Sequence, residues 1–185
     1  MHKKFIRFFD IVISIFVLII LFPLIFLISI FIFLFDGMPV IFKQNRIGYC
    51  GKKFKIFKFR TMKNNSLKNE KLRLTYFGKI LRKLSLDEIP QFINVLQKDM
   101  SIVGPRPLPE MVEKKIKKLK KKRRSVLPGI TGLSQINYTG KFRKLEDKVK
   151  LDINFIENYS LYNYFKILIN TPIILIIRLL KNKSS

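Results

Sequence analysis

The sequence predicts a mainly α, membrane-associated protein with one small β-hairpin. Three observations predict it. Residues 11–35, IVISIFVLIILFPLIFLISIFIFLF, are uncharged and strongly apolar. Apolar stripes at helical spacing recur over 68–84 and 145–181. Only residues 38–62 alternate with period two. The balance of 37 Lys+Arg against 12 Asp+Glu gives a net charge of +25. A disordered polycation is poor in apolar residues, whereas 48% of this chain is hydrophobic. One cysteine, Cys50, rules out an internal disulfide and a multi-thiolate zinc site. The single histidine, His2, excludes a histidine-dependent triad or multi-His metal site in the body of the protein. Any chemistry falls to carboxylates, Lys/Arg, hydroxyls, the lone thiol or an oxygen-bound metal. The basic excess calls for a polyanionic partner: nucleic acid, anionic lipid or a phosphorylated substrate.

The run 11–35 is long enough to cross a membrane, too long for the core of a signal peptide, and followed by no small-x-small cleavage site. Lys3, Lys4 and Arg7 precede it and Lys43, Arg46, Lys52 and Lys53 follow it. Both flanks therefore claim the cytoplasmic side. Pro23, near the middle, removes one helical hydrogen bond and kinks the helix. A re-entrant hairpin satisfies both flanks, and a bent single span remains the alternative.

Residues 38–62 read as a hairpin: Phe54, Ile56, Phe57 and Phe59 interleave with Lys53, Lys55, Lys58 and Arg60, and Gly48 and Gly51 bracket a turn. In 68–84, Leu72, Tyr76, Phe77, Ile80, Leu81 and Leu84 form an apolar stripe opposite a basic face, which suits the headgroup plane or a protein core. Residues 111–124 hold nine Lys/Arg and only a narrow apolar edge, the pattern of a solvated or lipid-facing helix. Pro128, Gly129 and Gly132 break the chain into the loop PGITGLSQIN. The stretch 164–181 is apolar but carries Asn170, Thr171 and Pro172, which predicts an interfacial helix, and a frayed tail is expected over 181–185.

With so few acids, their clustering carries weight. Asp87 and Glu88 are adjacent, and Ser85 and Glu88 have the S-x-x-E spacing of a capping box; alternatively Asp87 is the cap with Pro90 at the third position. Either places both carboxylates at a helix N-terminus, where the macrodipole favours ionisation. Simple capping is the commoner use of such residues. Asp99 follows, then GPRPLP, in which Pro105 and Pro107 hold Arg106 extended, well placed to grip a diphosphate in bidentate fashion. Neither a Walker A sequence nor G-x-G-x-x-G occurs. These parts suit attack by a carboxylate on phosphorus, with Mg²⁺ and Arg stabilising charge.

The segments FKQNRIG, FKFRTM, LRKLSLDEIPQFINVLQKDMSIVGPRPL and LPGITGLSQIN, behind an N-terminal membrane run, resemble the small monotopic phosphoglycosyl transferases, the bacterial sugar transferases that start lipid-linked glycan assembly. The resemblance covers roughly residues 3–180. It implies transfer of a phosphosugar from a UDP-sugar to undecaprenyl phosphate, releasing UMP, with Mg²⁺ as cofactor. It implies that Asp87 is the covalent nucleophile and a metal ligand, with Glu88 its partner. It assigns Arg106, Arg82, Lys58 and Arg60 to phosphate binding, and Thr131, Gly132 and Gln135 to a nucleotide or sugar loop. The N-terminal run becomes a re-entrant helix-break-helix with Pro23 at the membrane break. Two positions depart from the family pattern. Phe22-Pro23 stands where relatives carry Ser-Pro, so no serine hydroxyl serves the kink. Asn137-Tyr138-Thr139-Gly140-Lys141 replaces the N-G-R that follows the loop glutamine in many relatives, so the choice of sugar does not carry over.

The expectation is thus a monotopic hairpin over 1–36 and a catalytic domain with interfacial helices over 37–181, at the cytoplasmic face of the bacterial inner membrane and with no nucleic-acid partner. The rival is a non-enzymatic, membrane-tethered basic protein that binds nucleic acid or anionic lipid through 111–124.

Overall fold

The computed structural model describes residues 2–63, 73–116, 119–137 and 144–181 of the chain. The expected helical residues 68–72, part of the basic run, the loop residues Tyr138–Lys141 and the tail beyond Lys181 lie outside them.

The N-terminal run forms two helices, α1 (His2–Ile20) and α2 (Phe22–Phe31), the second continued by a wider π turn over Ile32–Asp36. They meet at Leu21 with a bend of 59°. Pro23 occupies the first turn of α2, where its missing N–H breaks the ladder between the helices. The break thus forms with Phe22 in place of serine. Each arm buries one stripe on the rest of the protein: Ile6, Asp10 and Ser14 on the first, Ile28 and Ile32 on the second. The outward side is left apolar, with Phe22 64% exposed at the apex.

Both arms are fastened by polar groups. Arg7 donates to the carbonyls of Val95 (2.6 Å) and Met100 (3.3 Å). Asp10 accepts from the Ser101 hydroxyl (3.1 Å), the Ile102 amide (2.8 Å) and the Tyr164 hydroxyl (2.7 Å). At the far end, Arg60 donates to the carbonyls of Met38 (2.6 Å), Asp36 and Gly37.

The predicted hairpin is present as β1 (Ile41–Ile47) and β2 (Lys53–Phe59), antiparallel with Ile41 opposite Phe59 and Ile47 opposite Lys53. Phe54 and Ile56 face inward, and Lys58, in phase with them, points the same way. The helix expected over 68–84 is seen as α3 (Tyr76–Lys83), its first turn capped by the Thr75 hydroxyl, which accepts from the Gly78 amide at 2.9 Å. Helix α4 (Gln91–Leu96) is pinned to β2 by Asn94, whose side chain accepts from the Phe57 amide (2.9 Å) and donates to the Lys55 carbonyl (2.8 Å).

A second sheet was not expected. β3 (Ser101–Val103) pairs in parallel with β4 (Gly129–Thr131). Its backbones approach so closely that a Cβ on Gly129 would lie 2.0 Å from the Gly104 nitrogen, and one on Gly132 would lie 2.2 Å from the Gly104 carbonyl oxygen. Glycine is required there by space.

The basic run is not one helix. It divides into α5 (Glu110–Glu113), a 3-10 turn over Lys114–Ile116 and α6 (Lys120–Arg123). After α7 (Leu133–Ile136), the final helical region divides into α8 (Leu145–Glu157) and α9 (Leu161–Lys181). Ser160 makes the break, its hydroxyl accepting from the Asn163 amide at 3.2 Å. Pro172 lies inside α9 without ending it. By length and composition α9 suffices to cross a membrane, as the bent α1–α2 pair does together. The main core gathers Ile6, Phe54, Ile56, Val95, Met100, Ile102, Phe155 and Tyr164, while Ile28, Ile32, Phe59, Leu81 and Ile89 form a second cluster under α2 and α3.

Candidate active site

Between β2, α3, α4 and α9 lies a cavity of about 920 Å³. Its walls carry Asp87, Glu88 and Asp152 against Arg46, Lys58, Arg60, Arg73, Arg82, Arg106, Arg123, Lys148 and Arg178. A hollow with so lopsided a charge concentrates anions.

The acidic pair sits in a 3-10 turn over Leu86–Glu88 that leads through Pro90 into α4. The expected capping box is absent. Ser85 adopts a left-handed conformation, φ 56°, and its side chain caps nothing. Its carbonyl instead accepts from the Glu88 amide at 3.3 Å. Asp87 does not cap either: its backbone is already in the turn, so its carboxylate is left for other use. The expectation that both acids stand at the start of a helical segment holds, with a different local geometry.

Glu88 is locked. Its Oε1 accepts from Lys58 Nζ at 2.5 Å and from Arg106 Nη2 at 2.7 Å. Burial by itself would raise this carboxyl, but Arg106 and Lys58 overrule it and hold it at about 2. Asp87 is only 7% exposed, and no group among the described residues donates a hydrogen bond to its carboxylate. Burial raises its pKa above the usual aspartate value; Lys58, Arg82 and Arg106 pull the other way, and Glu88 adds to the rise. Two adjacent carboxyls therefore have different states: one neutralised by ion pairs, the other open toward a basic hollow.

Arg82 also lines the cavity and donates through Nε to the Thr61 hydroxyl at 2.9 Å. Arg60 differs from the other expected phosphate contacts. It is 6% exposed, and both terminal nitrogens are spent on the carbonyls of Met38, Asp36 and Gly37 just past the N-terminal helix pair. In this fold it is an anchor beside the cavity.

The PGITG loop becomes β4 and the turn into α7. Thr131 and Gln135 reach the cavity, whereas Gly132 is packed on Gly104 away from it. Thr131 shares a hydrogen bond with the Thr171 hydroxyl at 2.8 Å. Gln135 donates to the Ile130 carbonyl at 2.8 Å, while its buried Oε1 has no partner. Asp99 does not line the cavity.

Sequence reasoning missed Arg123 and Asp152. Arg123 belongs to the run expected to be solvated or lipid-facing, yet it is 7% exposed. Its guanidinium meets Asp152 Oδ2 at 2.9 and 3.0 Å and donates to the Arg106 carbonyl at 2.7 Å. The clamp thereby holds the Pro-Arg-Pro loop from behind. Asp152 had a legible signal, an acid in register with the buried Val149 and Phe155 on α8. Arg123 had none, since its neighbours in the run are also cationic.

Mg²⁺ is usually held by one or two carboxylates together with waters and substrate phosphates. No group of three acidic, His or Cys side chains occurs among the described residues. The open Asp87 carboxylate in a cavity sized for a phosphorylated ligand fits a cation of that kind.

A hollow lined mainly by cations, with the open Asp87 carboxylate on its wall, suits an anionic ligand. The sequence pattern of the family described as bacterial sugar transferase matches residues 1–178, and the chain belongs to that family. It is 46% identical over 143 residues to the uncharacterized sugar transferase EpsL of Bacillus subtilis (strain 168), covering 71% of this chain and 67% of that one. It is 39% identical over 178 residues to the UDP-glucose:undecaprenyl-phosphate glucose-1-phosphate transferase of Escherichia coli (strain K12), covering 88% of this chain and 38% of that one. It is 38% identical over 137 residues to the UDP-N-acetylgalactosamine-undecaprenyl-phosphate N-acetylgalactosaminephosphotransferase of Aeromonas hydrophila, covering 67% and 32%. The chain thus spans about two thirds of the first relative and about a third of the other two.

Proposed function

We propose that this protein transfers a sugar phosphate from a UDP-sugar to undecaprenyl phosphate through a covalent intermediate on Asp87. The observation that carries the reading is the open carboxylate of Asp87 beside a Glu88 already neutralised by Lys58 and Arg106. An Asp87 oxygen attacks the sugar-bearing phosphorus of the donor. The bond from that phosphorus to the bridging oxygen breaks, and UMP departs with the electron pair. An oxygen of undecaprenyl phosphate then attacks the same phosphorus, the aspartyl–phosphorus bond breaks, and polyprenyl-diphospho-sugar is released with Asp87 restored. Two displacements at phosphorus need no histidine. Arg106, Lys58 and Arg82 surround the negative charge that builds in each step. Mg²⁺, held by Asp87 and substrate phosphates, would neutralise the diphosphate when bound.

The relatives' names support the substrate classes, a UDP-sugar and undecaprenyl phosphate. A monotopic placement agrees with the packing. Both ends of the α1–α2 hairpin are tied to one body, through Arg7 and through Arg60, so both ends belong on one side of the membrane. A UDP-sugar is a cytoplasmic metabolite, which puts that body at the cytoplasmic face of the inner membrane. Residues 1–36 then serve as the anchor and 37–181 as the catalytic unit. Membership of an enzyme family sets aside a purely charge-based binder of nucleic acid or lipid.

The test is to incubate the detergent-solubilised protein with Mg²⁺ and UDP-sugars labelled in the sugar, without acceptor. Label should remain on the protein and UMP should be released. In Asp87→Asn, which keeps the size of the side chain, the label should vanish and turnover fall by several orders of magnitude. Label retained in that variant would move the nucleophile elsewhere.

A further inference from the structure

The acceptor of the proposed reaction is a lipid phosphate, and its isoprenoid chain has to reach Asp87 from the membrane. Two elements offer apolar surface to a membrane, the α1–α2 hairpin and α9. Among the described residues the hairpin contributes nothing to the cavity wall, whereas α9 contributes Thr171, Ile174, Leu175 and Arg178. Those four follow i, i+3, i+4, i+7 spacing, one face of a helix. The opposite face carries Ile169, Ile173, Ile176, Ile177 and Leu180, all exposed. One helix therefore separates the outer apolar surface from the interior of the reaction chamber, a layer a single helix thick. It is fixed in place at two points: Thr171 bonds the Thr131 hydroxyl at 2.8 Å, and Arg178 donates to the Gln135 carbonyl.

Resting on the reaction proposed above, we propose that the inner face of α9 is the acceptor subsite. Ile174 and Leu175 contact the isoprene units nearest the phosphate, and Arg178, one turn further along the same face, adds positive charge next to the lipid phosphate. The same face explains how a helix apolar enough to span a membrane is used: Thr171 and Arg178 look into an aqueous, cation-lined hollow, so α9 lies at the interface with its outer stripe in the lipid.

The test separates the two substrates. The detergent-solubilised full chain is assayed with the UDP-sugar it uses, titrating undecaprenyl phosphate and donor independently. Detergent removes any effect of the variants on membrane partition. Ile174→Ala combined with Leu175→Ala should raise the KM for undecaprenyl phosphate about tenfold or more, since each lost methylene in an apolar subsite weakens binding severalfold. The KM for the UDP-sugar and the UMP released in the absence of acceptor should stay within about twofold of wild type. Ile176→Ala, on the outer stripe, should leave both constants unchanged in detergent. An unchanged acceptor KM in the double variant overturns the assignment. So does a parallel rise in both KM values, which would give this face to the nucleotide-sugar or to the fold. Absence of any transfer by the wild-type protein with every UDP-sugar tried would instead overturn the underlying reaction, and the inference with it.

Discussion

Asp87 and Glu88 are neighbours in the chain with opposite electrostatic settings, and the difference comes from who faces each. Glu88 spends its charge on ion pairs with Lys58 and Arg106; Asp87, raised by burial, feels Lys58, Arg82 and Arg106 through space but makes no ion pair among the described residues. Glu88→Gln therefore removes the negative charge that holds two cations in register, while its amide oxygen can still accept. Turnover should fall about a hundredfold, comparable to losing a preorganised charge-stabilising group, with the fold intact by circular dichroism. Arg106→Lys keeps a charge but loses the planar fork, while the main-chain carbonyl held by Arg123 is unaffected. Turnover should drop at least about tenfold, ~1.4 kcal/mol in the barrier, and wild-type kinetics would exclude a phosphate contact for this residue. The sequence marked both acids and Arg106, because adjacent acids and a proline-flanked arginine are rare patterns in so basic a chain. It mistook the local geometry, since whether Ser85 caps a helix depends on a left-handed turn that no spacing encodes.

Among the elements, α6 and α8 are joined by the buried Arg123–Asp152 pair, and this junction supports the Pro-Arg-Pro loop. Asp152→Ala would leave Arg123 as an uncompensated buried charge. Breaking such a pair from one side costs about 3–5 kcal/mol. A fall of that size in denaturant-unfolding stability is expected, whereas Arg123→Met combined with Asp152→Leu, which removes both charges, should recover most of it. A double-mutant cycle that finds no coupling would deny the clamp. The hairpin β1–β2 was legible because alternation is a local property, and Lys58 could be placed on its inner face by parity with Phe54 and Ile56. The β3–β4 pair was not legible. Each strand has three residues, too few to show a period, and their partnership joins positions far apart in the chain.

For the whole molecule, the central question is the path of the first 36 residues. A 59° bend at Leu21, together with anchors at Arg7, Asp10 and Arg60 on one body, is the geometry that the re-entrant path proposed above requires. Single cysteines at positions 4 and 43, in a Cys50→Ser background, should both be protected from an impermeant thiol reagent applied to the periplasmic side and both be modified once the cytoplasmic side is opened. Modification of position 4 from the periplasm would make the run a true span.

The sequence by itself displayed the apolar N-terminal run, its interruption at Pro23, the β-hairpin and the adjacent acids Asp87 and Glu88, the nucleophilic role of Asp87 being what the family resemblance implies. These are carried by composition, local period and adjacency, which the chain displays in one dimension. The tertiary structure decided the rest. It tied the Arg60 guanidinium to the carbonyls of Met38, Asp36 and Gly37 at the end of the N-terminal helix pair. It drew Arg123 out of a cationic run into a buried clamp on the loop that carries Arg106. It laid one face of α9 against the cavity that holds Asp87. In each case the outcome depends on which distant group a cation or a helix face meets, and a guanidinium reads the same in sequence whether it faces a phosphate, a carbonyl or a carboxylate.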